Sequence, residues 1–299
     1  MDSARDPRGA VGLVGLGNMG TAVGERLLDG GYDLVVYNRS RRKAEPLVAR
    51  GAVAADSVED LAAGADVVLS SLADDAALES AAAAVVAGAH PGTVFADLST
   101  VSPEASARVA ALAERSSVPY VRAPVSGNPA VVRAGNLTFI VSGPAEAIER
   151  AEPVLRAIGS TIHHVGDGEE ARIVKLAINL VVAGLAELMS EALVLAEAHG
   201  VSRQALLETM GSSAAGAPFV RYKTEPLLRD DYSATFTTAL MEKDVDLILD
   251  AAATAAVHLP VAETMKTLLG SAIGAGYGDD DFMALYLHLR STTKQEVLP

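Results

Sequence analysis

No cysteine and no tryptophan occur in the 299 residues. Without thiols, disulfides, thiolate metal sites and a cysteine nucleophile are all excluded. Basic residues are also in deficit: 24 Lys and Arg stand against 38 Asp and Glu, a net charge of −14. That balance speaks against a nucleic-acid partner, which needs basic surface. Any anionic ligand has to be held by local positive groups against the overall field. The histidines lack metal-ligand spacing, and Asp279-Asp280-Asp281 precedes a helical stretch it is expected to cap, so no metal is expected. Residues 1–9 carry Asp2, Arg5, Asp6 and Arg8 and no apolar run, so no secretory signal is expected. The longest apolar stretch, 176–195, is broken by Asn179, Glu187, Ser190 and Glu191. It is expected to be a buried helix of a cytoplasmic protein with no membrane partner.

Apolar residues, by contrast, make up 50% of the chain and charged ones only 21%, enough for a sizeable core. The most informative stretch is 10–20. Val11, Leu13 and Val14 read as a short buried strand, and Gly15, Gly17 and Gly20 follow in Gly-x-Gly-x-x-Gly spacing. A helical pattern then runs to Gly30-Gly31. Strand, glycine turn and helix in this order are the context of a dinucleotide-binding fingerprint. Gly15 suits the tight turn, Gly17 the approach of a pyrophosphate, and Gly20 close packing of helix on strand. The helix N-terminus offers N–H groups to the phosphates.

The next strand, 33–37, is where a carboxylate for the adenosine ribose should follow. The chain instead reads Asn38-Arg39-Ser40-Arg41-Arg42. No carboxylate repels a 2′-phosphate there, and guanidinium groups suit one. NADP(H) is therefore expected in preference to NAD(H), although Arg41 and Arg42 also fit a solvated helix start.

Strand and helix patterns alternate up to about residue 166: strands at 66–72, 93–96, 118–121, 137–141 and 161–165, helices at 58–63, 76–87, 103–114 and 145–158. Such alternation predicts a mostly parallel, doubly wound α/β sheet of the Rossmann type. From 167 onward the pattern is helical: 171–199, 203–210, 237–256, 261–273 and 281–289. The expected division is an NADP-binding domain over 9–166 and an all-α C-terminal domain over 167–292. The helix at 171–199 is apolar around its whole circumference, through Leu176, Ile178, Val181, Val182 and Leu185. A helix of that kind is expected to be buried on all sides, which predicts a homodimer or higher homo-oligomer.

Lys175 and Asn179 share a face of that helix, one turn apart. An unpaired lysine in an apolar helix is costly. It either lies near the helix start in solvent or faces a cleft, where it can pass a proton to an alkoxide.

These motifs, in this order, are similar to those of the β-hydroxyacid dehydrogenases. That group includes 3-hydroxyisobutyrate dehydrogenase, tartronate semialdehyde reductase and the plant-type glyoxylate/succinic semialdehyde reductases. The resemblance runs from about Ala10 to about Leu289. It rests on Gly15-Leu16-Gly17-Asn18-Met19-Gly20, Asp97-Leu98-Ser99-Thr100, Ala123-Pro124-Val125-Ser126-Gly127, Lys175-Leu176-Ala177-Ile178-Asn179, Lys243-Asp244 and Phe236. It implies that Lys175 is the general acid and base and that Asn179 orients substrate and lysine. Ser126, Gly127, Asn128, Thr100 and Phe236 would contact the substrate. Gly15, Gly17, Asn18, Met19, Gly20, Asn38, Arg39, Ser40, Thr100, Lys243 and Asp244 would contact the cofactor.

Two positions depart from the family pattern. Asn128 replaces a second glycine, which adds a donor and bulk to the substrate loop. Arg122 replaces an acid and is expected to point to solvent. The implied activity is interconversion of a small β-hydroxy acid and its semialdehyde, or reduction of an aldehyde acid. Imine reduction on the same fold is the nearest rival, but imine reductases usually replace the lysine. A non-enzymatic nucleotide-binding scaffold would need no proton donor.

Overall fold

Strand β1, Val11–Val14, is wholly buried, as a hydrophobic run between two helical layers must be. It is the third strand along the sheet, which extends from it in both directions. The computed structural model describes residues 9–296; the polar stretch 1–8, where no signal was expected, lies outside the described residues. Two compact units divide the chain between Lys175 and Leu176.

In the first unit β1 leads through α1, Asn18–Asp29, to β2, Leu34–Tyr37. A short helix α2, Glu45–Val48, and a two-residue strand β3, Val53–Ala54, follow. Next come α3, Val58–Ala63, β4, Val67–Ser70, and α4, Asp75–Gly88. Strand β5, Val94–Asp97, helix α5, Pro103–Arg115, and strand β6, Tyr120–Arg122, complete the parallel part. Then come β7, Val125–Ser126, α6, Pro129–Arg133, β8, Thr138–Ser142, α7, Ala145–Ile158, and β9, Thr161–Gly166.

Among the described residues nine strands form one sheet, ordered β3-β2-β1-β4-β5-β6-β8-β7, with β9 also on β8. Pairing is parallel from β3 to β6, while β8 runs antiparallel to β6 and β7. Alternation along each strand feeds two cores. Val11, Leu13, Leu69 and Val121 join one, and Val14, Val68, Phe95 and Tyr120 the other. The helices start where short polar side chains cap them. Ser57 accepts from the Asp60 N–H, Asp74 from Ala77 and Ser102 from Ala105.

Helix α8, Glu170–Ala198, opens at the end of this unit and continues through the second. There α9, Arg203–Ser212, α10, Pro218–Leu228, α11, Thr238–Thr254, α12, Pro260–Ala272, and α13, Leu285–Glu296, follow. Leu176, Ala183, Ala186, Met189 and Leu193 of α8 enter a core with Phe219, Met241, Val245, Met265 and Phe282. Among the described residues α8 alone is long and apolar enough to cross a membrane, by length and composition. Its row of core contacts makes it the core helix of the second unit.

The expectation that α8 is buried on all sides needs correction. Val181, Leu188 and Leu195 are more than 60% exposed. Their seven-residue spacing keeps them on one ridge, opposite the row that faces the core. Leu180, Gly184 and Leu185 join Val181 and Leu188 in an apolar groove lined on its other side by residues 259–262.

Candidate active site

The carboxyl ends of β1, β2, β4, β5 and β6 lie along one edge of the first unit's sheet, because all five strands are parallel. Ligands of open α/β sheets bind outside such an edge, at the point where strand order reverses. That point is β1, with β2 on one side and β4 on the other.

The glycine turn after β1 is built as a cradle. Gly15 has φ +93°, and a Cβ there would sit 2.3 Å from the Ser71 carbonyl oxygen. At Gly20 a Cβ would stand 2.0 Å from the Gly15 carbonyl oxygen, so only hydrogen allows α1 to approach the turn. A Cβ on Gly17 would meet nothing within 4 Å. Its freedom from neighbours leaves backbone accessible at the start of α1, where no side chain caps the helix. Asn18 is exposed and Met19 half-buried. The turn, open above and uncapped, fits a dinucleotide pyrophosphate.

Asn38 stands at the end of β2, and its side chain serves the turn itself. Its Oδ1 accepts the Leu16 N–H at 2.9 Å and its Nδ2 donates to the Ser40 carbonyl at 3.1 Å. Arg39, Ser40, Arg41 and Arg42 are all exposed. Arg41 pairs with Asp56 at 2.7 Å, leaving Arg39 and Arg42 without an ion pair among the described residues.

The ends of β4 and β5 carry a buried polar network that the sequence did not reveal. Asp97 is fully buried, and its Oδ1 accepts from the Ser70 hydroxyl at 2.5 Å and the Ser99 hydroxyl at 2.6 Å. Its Oδ2 accepts from Arg172 Nη2 at 2.7 Å. Ser99 Oγ in turn accepts the Leu72 N–H at 2.9 Å. Thr100, next in chain, is half-buried. Burial raises the Tyr120 hydroxyl's pKa, and the Arg172 charge beside it opposes that rise. The sequence held no signal for this network, since the partners of Arg172 lie 52 to 75 residues away.

Beyond β6 the 123–128 segment turns into α6. Ser126 pairs with Thr138 in register, and Gly127 has φ +145°, where a Cβ would press on Leu137 at 2.9 Å. Asn128 caps α6, its Oδ1 accepting the Val131 N–H at 3.1 Å. The cap gives this departure from the family pattern a local structural purpose. Arg122 does not point to solvent as expected: it is 7% exposed. Glu169 Oε1 accepts from its Nε at 2.9 Å and also from its Nη2, and its guanidinium lies 4.9 Å from the Tyr120 ring centre. The ion pair and the ring explain why a charge tolerates burial here.

Lys175 is half-buried, one helical turn before Asn179 on α8. In the second unit Asn179 is 6% exposed and donates from Nδ2 to Asp244 Oδ2 at 2.6 Å. Asp244, fully buried on α11, is also held by Lys243 at 2.9 Å. Phe236, just ahead of α11, packs edge-on against Phe282 at 6.0 Å. Asp281 caps the turn at Met283, as expected of the acidic run, and also pairs with buried Lys223 at 2.6 Å.

Comparison with known proteins bears on this arrangement. Residues 10–166 match the model of the NAD-binding domain of 6-phosphogluconate dehydrogenase. Residues 169–289 match that of the NAD-binding domain of NADP-dependent 3-hydroxyisobutyrate dehydrogenase. The chain belongs to the β-hydroxyacid dehydrogenase family. It is 33% identical to the NAD-dependent L-serine dehydrogenase of Pseudomonas aeruginosa, over 91% of this chain and 95% of that one. The solved 3-hydroxyisobutyrate dehydrogenase of Mycobacterium tuberculosis with L-serine superposes with a TM-score of 0.85 at 30% identity. That match covers 94% of this chain and 99% of that one. An imine reductase from a Pseudomonas species shares the fold more distantly, with a TM-score of 0.61 at 23% identity over 94% of this chain and 99% of its own. Family membership makes the chain an NAD(P)-dependent hydroxyacid dehydrogenase in the broad sense, with NAD(P)-binding and helical parts.

Proposed function

We propose that this protein is an NADP(H)-dependent oxidoreductase that interconverts a small β-hydroxy acid and its semialdehyde, or reduces an aldehyde acid. The observation that carries the reading is the pairing of Asn179 with Asp244 one turn beyond half-buried Lys175. A buried carboxylate that fixes an amide on the lysine's own helix face is the arrangement expected around a proton donor.

A bound nicotinamide supplies or takes the hydride. Lys175 Nζ gives a proton to the carbonyl oxygen in reduction and takes it from the hydroxyl in oxidation. Asn179, held by Asp244, orients the substrate and the lysine. Ser126, the backbone at Gly127, Asn128, Thr100 and Phe236 are the residues assigned to substrate contact. Gly15, Gly17, Asn18, Met19 and Gly20 receive the pyrophosphate, and Lys243 and Asp244 are also assigned to cofactor contact. The 2′-phosphate falls to Arg39 and Ser40, since Asn38 replaces the usual carboxylate and Arg39 has no ion-pair partner among the described residues. The relative named for L-serine is NAD-dependent, so cofactor choice belongs to this chain's own β2 end.

In this reading residues 9–166 form the NADP-binding domain, and 167–292 the all-helical domain that serves substrate binding and dimerisation. The exposed ridge of Val181, Leu188 and Leu195, with its apolar groove, supports a second copy as occupant. Retention of Lys175 favours carbonyl over imine reduction. A screen of β-hydroxy acids, semialdehydes and a cyclic imine, following nicotinamide absorbance with each cofactor, tests the whole reading. Turnover confined to the imine, or none with any acid, would overturn it.

A further inference from the structure

We propose that Arg172 is the positioning residue of the proton-transfer machinery. It locks the first turn of α8, which bears Lys175, onto the 97–100 segment. The proposal rests on the reading of Lys175 as proton donor.

Arg172 is 1% exposed, and its guanidinium makes four hydrogen bonds to three separate elements. Nε donates to Ser106 Oγ on α5 at 3.1 Å, and Nη1 to the Ser99 carbonyl at 2.7 Å. Nη2 donates to Asp97 Oδ2 at 2.7 Å and to the Tyr120 hydroxyl at 2.8 Å. Asp97 carries the link onward to the ends of β4 and β5 through Ser70 and Ser99. A buried ion pair is a poor way to gain stability, because apolar side chains of similar volume usually serve as well. A planar fork with fixed donor directions is, however, a good way to set geometry. Lys175 follows Arg172 by three residues on the same helix, so the two share a face. Thr100 follows Ser99, whose carbonyl the guanidinium holds. Rotation or sliding of the helix start therefore has to break the fork before it moves Lys175 relative to Thr100. Displacements of about 1 Å at a reacting group cost up to roughly a hundredfold in rate.

The test compares Arg172→Lys, Ser106→Ala, Tyr120→Phe and Lys175→Ala in the full-length enzyme. It reads kcat and KM separately, per folded molecule, NADPH affinity by fluorescence titration, and backbone amide exchange. Arg172→Lys keeps the charge but cannot reach all four acceptors. It should lower kcat roughly tenfold and leave KM and NADPH affinity within about threefold. Amide exchange should quicken in 97–101 and 170–176 together and not elsewhere. Ser106→Ala and Tyr120→Phe, which leave no charge unpaired, should act in the same direction more weakly, and they decide the matter if Arg172→Lys does not fold. Unchanged kcat in both, or faster exchange throughout the chain with kcat intact, would make Arg172 a stabilising residue only and overturn the proposal. Loss of kcat in Lys175→Ala with full kcat in Arg172→Lys sinks this proposal alone. Full kcat in Lys175→Ala sinks the parent reading and this one with it.

Discussion

Asn179 and Asp244, 65 residues apart in sequence, are joined by one 2.6 Å hydrogen bond between buried side chains of α8 and α11. Asp244 also takes Lys243 at 2.9 Å, so its charge is compensated where no water reaches it. Asp244→Asn keeps the shape and removes the charge. It should lower kcat by about tenfold through loss of Asn179 orientation and Lys243 pairing, with a smaller effect on KM. Steady-state kinetics check this, and a rise in KM alone would assign the pair to binding.

Cofactor choice follows from the end of β2. NADPH should bind more tightly than NADH. Arg39→Ala should weaken NADPH by on the order of tenfold and NADH far less, because a guanidinium–phosphate pair is lost only in the first case. Fluorescence titration of both cofactors measures the difference. Equal affinities in the parent protein would contradict the reading.

Glu187 is 6% exposed, and neither of its carboxylate oxygens has a hydrogen-bond partner among the described residues. Burial, with a smaller contribution from Glu191, pushes its pKa up to about 7 from the ordinary 4.5. The folded state therefore holds this proton up to about pH 7, while the unfolded chain releases it near 4.5. Between those values the native state binds more protons, so stability falls as pH rises and stays lower above pH 7. Glu187→Gln should therefore raise the melting temperature by several degrees at pH 8, for roughly 2 kcal/mol, and much less at pH 5. Calorimetry at the two values checks the sign; equal shifts at both would remove the charge from the account.

The ridge on α8 predicts assembly. Val181→Asp with Leu188→Glu places two charges where a second copy would bury apolar surface. The parent protein should scatter light as a dimer or larger oligomer and the double variant as a monomer. A parent monomer at micromolar concentration would contradict this part of the proposal.

Much of the first unit could be read from local pattern. Helices at 58–63 and 145–158 were expected with the bounds they have, because caps and apolar spacing are short-range signals. Strand β7 and helix α6 were not expected, since two residues and five residues carry too little pattern. Helix α10 was missed as well. It follows a small-residue stretch at 211–217 and contains Pro226, both of which argue locally against a helix. The antiparallel turn of β8 is a tertiary choice that alternation cannot announce. At the site, glycine spacing marked the turn, but nothing near Arg122 announced Glu169, 47 residues on. Helix α8 misled for a related reason: apolar residues all round do not tell which face meets its own core and which awaits a neighbour.

Carbonyl reduction builds negative charge on oxygen as hydride arrives, and a positioned donor lowers that barrier by on the order of 10²- to 10⁴-fold. Lys175→Ala should therefore reduce kcat by about a hundredfold or more with the best substrate of the screen. Its NADPH affinity should barely change, because the glycine turn and Arg39 stand at the β1 and β2 ends. Lys175→Arg should restore little, since a guanidinium keeps its proton at neutral pH. The measurement is kcat of the Lys175→Ala enzyme alongside its NADPH titration. Lost turnover with cofactor binding intact is the predicted result; a Lys175→Ala enzyme that retains most of its kcat would show that the proton comes from elsewhere.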